Sequence, residues 1–394
     1  MKLRLAVLFF LQFACLGAWV PILGKYLSDL GFSSTEIGAV YATSALAVIC
    51  TPLLVGHLAD RFFPIDRVMA FNFIVAGILL GVASATRHFL PMFWASLGAM
   101  FFFGPTVALA NAFAFRHLNQ AHSDFPLVRS LGTVGWIAAG YGLSSWMALT
   151  GRNLGEGLKL GAVLSTAAGL YCLTLPSSPP FQVRRRGGAL TRVTTMLRGD
   201  RSFAVFSFVS FGVMVFGSFY YARSANFFPA MGFTDRQLPL VSGIGQCVEL
   251  GAMWILPRIY RRLGPKATIG LGISAWSLRF AVFAAQPSKG FLIAAQSLHG
   301  VAYAFGTAAA SVYLEQVSKP EARATLQSYL YWLTYGAGML LGSLFSGQLS
   351  DWVHGNWMYI WGIPATGCAA MLVVFWLGFK PISLERMKAS AMQA

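Results

Sequence analysis

The sequence predicts an all-α integral membrane protein with twelve transmembrane helices in two six-helix bundles. Of its 394 residues, 56% are hydrophobic and 11% are charged, whereas about a quarter of the residues in soluble domains are charged. The apolar residues form twelve runs of about 20 residues, the length that crosses a bilayer as a helix. These runs lack the alternation of a β-barrel, the other structure that satisfies its backbone in lipid.

Six predicted spans form an N-terminal bundle, residues 1–178. The first span could be read as a signal peptide, but its apolar run continues past Cys15 to Gly24, so we interpret it as a retained membrane helix. The six spans are 4–24, 35–57, 67–86, 89–115, 126–148 and 157–177.

A polar, basic segment at 179–200 separates this bundle from a second one, residues 201–394. The segment contains RRRGG, and we expect it at the cytoplasmic face near anionic lipid. The six spans of the second bundle are 203–222, 237–257, 266–285, 290–314, 325–348 and 357–379.

The 29 lysines and arginines predict the orientation. If both termini are cytoplasmic, 21 of the 29 lie on the cytoplasmic side and Arg279 lies within a span. The remaining seven are Lys25, Arg87, Arg152, Lys159, Arg223, Arg236 and Lys289. This bias follows the positive-inside rule. Because the basic residues occupy short loops and not one continuous face, the net charge of +16 does not indicate nucleic-acid binding.

Motifs that would indicate an enzyme or an ATP-driven pump are missing from the sequence. It contains no Walker A loop and no HExxH or GxSxG motif. The five cysteines lie in apolar runs without a CxxC pair, so no disulfide framework, metal or cofactor is expected. A membrane-embedded enzyme or sensor remains the alternative from another class. The lack of a second buried carboxylate or a soluble effector domain counts against it.

The two halves share features at equivalent positions. The second span is followed by GHLADRFFPIDR and the eighth by PRIYRRLGPK, while spans 5 and 11 end in LSSW (143–146) and LSDW (349–352). Two parallel six-helix repeats are typical of a large class of transporters with a substrate site at the midplane. The loop residues Gly56, Asp60, Arg61 and Arg67 resemble a motif of the major facilitator superfamily. The resemblance implies a charge cluster that forms a cytoplasmic gate; the alternative is an ordinary basic turn.

Four stretches make the resemblance closer: QFACLGAWVPILGKY (12–26), IGAVYA (37–42), DFPLVRSLGTVGW (124–136) and SLRFAVFA (277–284). They resemble the bacterial nucleoside:proton symporters of this superfamily. That family implies alternating access, a nucleoside and protons as substrates, and a multi-pass location in the bacterial inner membrane. Matching family positions imply a substrate site with Arg129 and Thr133 on the fifth predicted span (helix 5) and Gln246 and Glu249 on the eighth (helix 8). No feature of the sequence indicates an oligomer, so a monomer in the lipid bilayer is expected.

Glu249 alone among the thirteen acidic residues lies near the centre of a predicted span. An ionisable group at that depth is costly and marks a functional site by default. Because desolvation disfavours a charged carboxylate, this residue is the predicted proton carrier. The alternative is a permanent ion pair with Arg129 that ties the halves together. Gln246, three residues earlier, lies on the same helical face.

Other candidates are weaker. The resemblance implies amide side chains on helix 7 that contact the substrate; this chain has Ser218 and Tyr221 at those places, with Asn226 a little further on. Trp19 could stack on a base or simply pack. Thr133 could bind substrate or bond to its own helix. Where the family tends to carry an acidic residue in helix 10, this chain has Ala304. His299 could relay a proton there or bond to a neighbouring helix. The departures on helices 7 and 10 leave the precise nucleoside and the proton stoichiometry open, and keep a muropeptide or another sugar-containing solute as an alternative substrate.

Overall fold

The computed structural model describes residues 1–61, 63–118, 121–179, 189–318 and 322–381. Every regular element in these ranges is helical. The N-terminal part contains α1 to α7: Lys2–Trp19, Leu23–Asp29, Ser34–Arg61, Ile65–Ala85, Phe89–His117, Ala121–Thr150 and Glu156–Cys172.

The described residues from 189 to 381 contain eight further α-helices and three other helical segments. Helices α8 to α15 are Ala189–Gly199, Arg201–Ala230, Leu238–Ala285, Lys289–Val301, Ala309–Val317, Arg323–Tyr331, Met339–Trp352 and Trp357–Gly378. A 3₁₀ turn, Asp235–Gln237, precedes α10. Two π-helical segments, Ala302–Ala308 and Trp332–Gly338, join α11 to α12 and α13 to α14.

Each of the twelve predicted spans coincides with helical structure. Seven helical stretches of the described chain pass a length and hydropathy test for membrane spans, and the stretch Asp235–Ala285 covers two predicted spans. Within that stretch, the backbone leaves helical geometry at Gly264, with φ of 74° and ψ of 172°. This is a left-handed region that glycine adopts without steric cost, so the turn expected between spans 8 and 9 is confined to one residue beside Pro265.

The first predicted span is broken near its C-terminal end. Helix α1 ends at Trp19 and α2 begins at Leu23, because Pro21 has no N–H to continue the ladder. The hydroxyl of Tyr41 on α3 accepts from the Gly24 N–H at 3.0 Å and donates to the Val20 carbonyl at 3.1 Å. These bonds satisfy backbone groups that the break releases in an apolar setting.

The basic segment between the halves contains one short amphipathic helix, α8. Val193 is 5% exposed, and Met196 and Leu197 pack against a core cluster of the C-terminal helices. Arg198 in its last turn is exposed. An apolar face on the protein and a basic face outward are what a surface helix at a membrane boundary requires.

The chain forms two compact units. The first contains residues 1–184, 218–246 and 339–356, and the second contains residues 185–217, 247–338 and 357–394. Thus parts of α9, α10 and α14 pack with the N-terminal helices. The two six-helix repeats with boundaries at 178 and 201 stay a prediction about topology.

Glycines bring α1 and α6 together in the first unit. A Cβ on Gly17 would lie 2.4 Å from the Trp136 carbonyl oxygen, and one on Gly135 would lie 2.2 Å from that of Phe10. Such close backbone approach through small residues is how helices pack without a hydrophobic driving force in lipid. The contact fixes the position of α6, which carries Arg129 and Thr133.

Candidate functional site

Arg129 on α6 lies over two aromatic rings of α1. Its guanidinium carbon is 3.9 Å from the ring centre of Phe13 and 5.6 Å from that of Phe9. A Cβ on Gly132 would come within 3.0 Å of the Arg129 Nη1 atom, so this glycine leaves room for the guanidinium beside its own helix. Cation–π contacts of this kind stabilise a desolvated guanidinium. They hold Arg129 in place beside α1.

Thr133 lies one turn after Arg129 on α6 and is half-buried. Within the described residues, its hydroxyl makes no hydrogen bond. The alternative of a bond back to its own helix is therefore not what the structure shows. A half-buried hydroxyl next to a fixed guanidinium suits a polar solute, although a contact with substrate stays a prediction.

Trp19 is packed inside the first unit. The side chain is 5% exposed and belongs to the core cluster of the N-terminal helices. A Cβ on Gly161 of α7 would lie 2.6 Å from the Trp19 ring. The packing alternative accounts for this residue here, and stacking on a base stays untested.

The three candidates on α9 lie in different surroundings. Ser218 is fully buried, whereas Tyr221 is half-buried and lies edge-on to Tyr220, with ring centres 5.4 Å apart. Asn226 lies two turns after Ser218, where a Cβ on Gly24 would be 3.0 Å from its Oδ1 atom. Asn226 therefore lies beside the start of α2, and contact of these three residues with a substrate stays a prediction.

Gln246 and Glu249 are both half-buried residues of α10. Helix α11 comes very close to α10 at this level: a Cβ on Gly300 would lie 2.2 Å from the Glu249 nitrogen and 2.6 Å from the carbonyl carbon of Val248. Only glycine permits such an approach. It makes the α11 backbone part of the immediate surroundings of Glu249.

The residues after Gly300 adopt a π-helix, Ala302–Ala308. Such segments are rare and occur frequently at functional sites. Ala304, in place of the acidic residue expected from the family, is fully buried in the core cluster of the second unit. No pattern in the sequence predicts this segment, because π-helix formation depends on how α11 packs on its neighbours.

A second buried polar cluster accompanies His299. His299 is 3% exposed and its ring lies edge-on to Trp276, with centres 6.1 Å apart. Arg279 is fully buried, with its guanidinium carbon 4.3 Å from the Trp276 ring centre and 5.3 Å from that of Phe280. The sequence signal for this cluster is Arg279, the one lysine or arginine that the division between the two membrane sides leaves within a span. The sequence alone gives Arg279 no role.

One buried polar pair of the first unit was missed in the sequence. The side-chain amide of Gln12 on α1 donates to the Thr106 hydroxyl on α5 at 2.9 Å, and both residues are fully buried. Thr106 donates in turn to the Phe103 carbonyl at 2.6 Å. A polar residue in an apolar run is a signal for such a pair, but its partner 94 positions away is not.

The predicted cytoplasmic gate is described only in part. The side chains of Asp60 and Arg61 lie outside the described residues. Arg67 is exposed and its Nε atom lies 3.6 Å from the carboxylate of Asp66. Asp66 itself is buried and accepts from the Ser178 N–H at 2.8 Å. This arrangement anchors the start of α4 to the end of the N-terminal bundle, and the gate stays a prediction.

The structure brings Arg129, Thr133, Ser218, Tyr221 and Gln246 into the first compact unit, whereas Glu249 and His299 belong to the second. The Arg129–Glu249 ion pair predicted as one alternative stays a prediction.

Comparisons with known proteins agree with the resemblance seen in the sequence. A family model described as "Nucleoside H+ symporter" matches residues 1–383. The xanthosine permease of Escherichia coli (strain K12) is 32% identical, covering 96% of each chain. The nucleoside permease NupG of the same organism is 30% identical, again over 96% of each chain.

Solved structures lead to the same fold. A crystal structure of the nucleoside transporter NupG matches with a TM-score of 0.83 at 28% identity, covering 96% of this chain and 99% of that one. A D-xylose–proton symporter structure matches with a TM-score of 0.75 at 14% identity, which shows the fold alone. The match over almost the whole chain leads to one conclusion: this protein belongs to the nucleoside H+ symporter family, with the all-α membrane transporter fold.

Proposed function

We propose that this protein imports nucleosides in symport with protons across the bacterial inner membrane, with both termini in the cytoplasm. The observation that carries the proposal is the family match over residues 1–383 in a chain that places Glu249 within α10. The bias of basic residues toward one set of loops supports the orientation. We expect the chain to work as a monomer in the lipid bilayer.

Glu249 is the proposed proton carrier. Its backbone lies where α10 and α11 touch through Gly300, and a charged carboxylate is disfavoured at that depth of a span. Symport requires that the proton and the nucleoside each strengthen the binding of the other. Alternation of access around a central site then carries both inward.

Hydrogen-bonding side chains provide the proposed nucleoside contacts. Arg129 offers N–H donors, Gln246 offers a donor and an acceptor, and Thr133 offers a half-buried hydroxyl. These groups suit ribose hydroxyls and the edge of a base. Tyr221 is the proposed stacking partner of the base. Further contacts with the nucleoside are proposed for the buried Ser218 and Trp19 and for the half-buried Asn226. The proposed cytoplasmic gate consists of Asp60, Arg61 and Arg67.

The test is uptake of labelled uridine and adenosine into proteoliposomes, with and without an inward proton gradient. Wild type is compared with Glu249→Gln, which keeps the shape of the side chain but carries no proton. Glu315→Gln is the matched control, because Glu315 forms an exposed ion pair with Arg323 at 3.2 Å, and such pairs contribute little. We expect gradient-driven uptake in wild type and Glu315→Gln, and loss of the gradient effect in Glu249→Gln.

Three results would change the proposal. Wild-type uptake that ignores the gradient would make Glu249 a structural or substrate-binding residue. Absence of nucleoside uptake by folded protein would exclude nucleosides and direct the test to muropeptides and other sugar-containing solutes. Turnover of a solute by the protein in detergent, without a sealed vesicle, would instead indicate an enzyme.

A further inference from the structure

The end of α14 is bound to the start of α3 by one carboxylate. Asp351 accepts from the Ser34 N–H at 3.1 Å, from the Thr35 N–H at 2.8 Å and from the Thr35 hydroxyl at 2.7 Å. The first N–H groups of a helix have no partner within the helix and carry a partial positive charge. Asp351 therefore satisfies two of them from a helix more than 300 residues later in the chain.

Helix α3 also carries a cap of its own, so Asp351 is not needed to start the helix. The Ser33 hydroxyl accepts from the Glu36 N–H at 3.2 Å, and Glu36 accepts from the Ser33 N–H at 2.8 Å. This reciprocal pair is a capping box. The contacts of Asp351 add a link between helices to a helix end that is already defined.

A buried arginine joins the same point from a third helix. Arg223 on α9 is 1% exposed and donates from Nη2 to the Ser34 carbonyl at 2.7 Å. Its charge interacts favourably with that of Asp351. The first turn of α3 is thus held by an anion from α14 and a cation from α9, and all three elements lie in the first compact unit.

Glycines let α3 and α14 meet directly behind these bonds. A Cβ on Gly38 would lie 2.5 Å from the Ser343 carbonyl oxygen, and a Cβ on Gly347 would lie 2.7 Å from that of Ser34. Ser343 is fully buried in this contact. At these two glycines the backbones of α3 and α14 are therefore in direct contact.

We propose that Asp351 and Arg223 are positioning residues that hold the outer ends of α3, α9 and α14 together, and that this link breaks and re-forms in each transport cycle. The inference rests on the proposed function, since transport inward requires the path to open to the outside. In the proposed orientation, Ser34 and Asp351 lie on the outer side.

The exposure of Asp351 fits a reversible link. The residue is exposed to solvent, so water can take over the hydrogen bonds when the helices separate, and the capping box of Ser33 and Glu36 keeps the end of α3 formed. A buried, fully desolvated ion pair would oppose separation far more strongly.

The first test is a reversible cross-link between Thr35→Cys and Asp351→Cys. The native side chains touch, with Oγ1 and Oδ2 2.7 Å apart. We expect the reduced double variant to take up nucleoside, and the oxidised form to lose uptake at least tenfold and regain it with reductant. Equal uptake by the oxidised and reduced forms would overturn the proposal.

The matched control is a cross-link on the same side that joins neighbouring helices within the N-terminal part. Thr86 Oγ1 and Met92 Sδ lie 4.0 Å apart at the turn between α4 and α5. Oxidation of Thr86→Cys/Met92→Cys should leave uptake unchanged. Loss of uptake in this control as well would show that any outer cross-link inhibits, and would remove the support.

A second test needs no transport at all. The variant Ser343→Cys is labelled in right-side-out vesicles with an impermeant maleimide. The same labelling is carried out on double variants that also carry Asp351→Asn or Asp351→Glu. Protein without Ser343→Cys gives the background from Cys50 and Cys247. Loss of a helix cap should shift the equilibrium between the closed and the open α3–α14 contact about three- to tenfold. Labelling should therefore be faster by that factor with Asp351→Asn. With Asp351→Glu it should return toward the rate of Ser343→Cys alone. Equal rates in all three would overturn the proposal, even if wild type proves not to carry nucleosides.

Discussion

Two helix starts of the first unit, both on the side proposed to face outward, begin with the same kind of cap but contact different partner groups. Helix α3 begins with Ser33 and Glu36 as a capping box, and α10 is preceded by a turn in which Thr234 and Gln237 form another. Each start meets the end of a helix from the other half of the sequence. At α3 the partner helix α14 supplies a carboxylate, Asp351.

At the start of α10 the acid is part of the turn itself. Asp235 lies in the first turn, and the partner helix α6 supplies only a hydroxyl: Ser144 donates to the Arg236 carbonyl at 2.6 Å. The related sequences LSSW and LSDW thus lie near the ends of α6 and α14, but they contact their partner helices through different groups. Asp351 on the partner helix binds the first N–H groups of α3, whereas Asp235 lies in the turn before α10 and its carboxylate is 4.0 Å from the Lys25 ammonium of α2.

The largest expected difference comes from the glycines of the two contacts. Gly38→Ala would place a Cβ 2.5 Å from a backbone oxygen, whereas Gly140→Ala would place one 3.4 Å from the Pro239 side chain, which is an ordinary contact. We expect Gly38→Ala to lower the free energy of unfolding by about 1–3 kcal/mol. Gly140→Ala should be neutral or stabilise the helix by up to about 1 kcal/mol. Thermal unfolding in detergent measures both, and equal midpoints would contradict the close α3–α14 contact.

Exchanging the residues of the repeat tests the role of the carboxylate. Asp351→Ser gives α14 the residue of LSSW and should lower the free energy of unfolding by about 0.5–1 kcal/mol, as loss of an exposed cap does. Ser145→Asp should change it little, because the turn before α10 already holds Asp235. The two unfolding midpoints are the measurement. A loss of similar size in both would mean that the position, and not the link, matters.

The pH dependence of this link follows from the pKa of Asp351, which lies beyond the end of the predicted span 325–348. Burial raises the pKa of Asp351, but hydrogen bonds from Thr35 and Ser34 outweigh this, and the pKa is lowered from its ordinary value of 3.8. A lowered pKa contributes stability above the unfolded value that is lost as the pH falls through the folded value.

We therefore expect the difference in unfolding midpoint between wild type and Asp351→Asn to stay constant from pH 8 to about pH 5 and to shrink below about pH 4. Uptake by Asp351→Asn should keep the pH dependence of wild type between pH 5 and 8, because Asp351 does not titrate there. A midpoint difference that varies between pH 5 and 8 would contradict this assignment.

The smallest effect on the opening of the α3–α14 contact is expected from a change at the α6–α10 contact. Ser144→Ala removes one hydrogen bond to the Arg236 carbonyl and should lower the free energy of unfolding by about 0.5–1.5 kcal/mol, without faster maleimide labelling of Ser343→Cys. Ser350→Ala, at the equivalent place in the repeat, is the control. Faster labelling with Ser144→Ala would mean that the two contacts open together.

The apolar runs predicted the helices well, because lipid leaves the backbone few alternatives. The positions of α3, α9 and α15 follow the apolar runs closely. The break at Pro21 could have been predicted from the missing N–H. The π-segments could not, because Ala302–Ala308 has no sequence feature that separates it from an ordinary α-helix.

Some buried charged and aromatic residues could likewise be recognised from the sequence, whereas the contacts of others could not. Glu249 and Arg279 are visible in the sequence because a charge in an apolar run is rare. Arg223 and Asp351 looked like ordinary charges at helix ends, and their meeting at Ser34 depends on helices that are distant in sequence. Trp19 looked like a candidate for base stacking, and its packing against Gly161 decides its surroundings.

The sequence by itself determined that the chain is a helical membrane protein, where its spans lie, which family it resembles and which carboxylate lies deepest in a span. These features follow from the length of apolar runs and the cost of burying charge, which are local properties. The tertiary structure alone decided that α3 and α14 touch through Gly38 and Gly347 and that Asp351 binds the start of α3. Contacts between distant residues depend on how helices pack, which no local pattern contains.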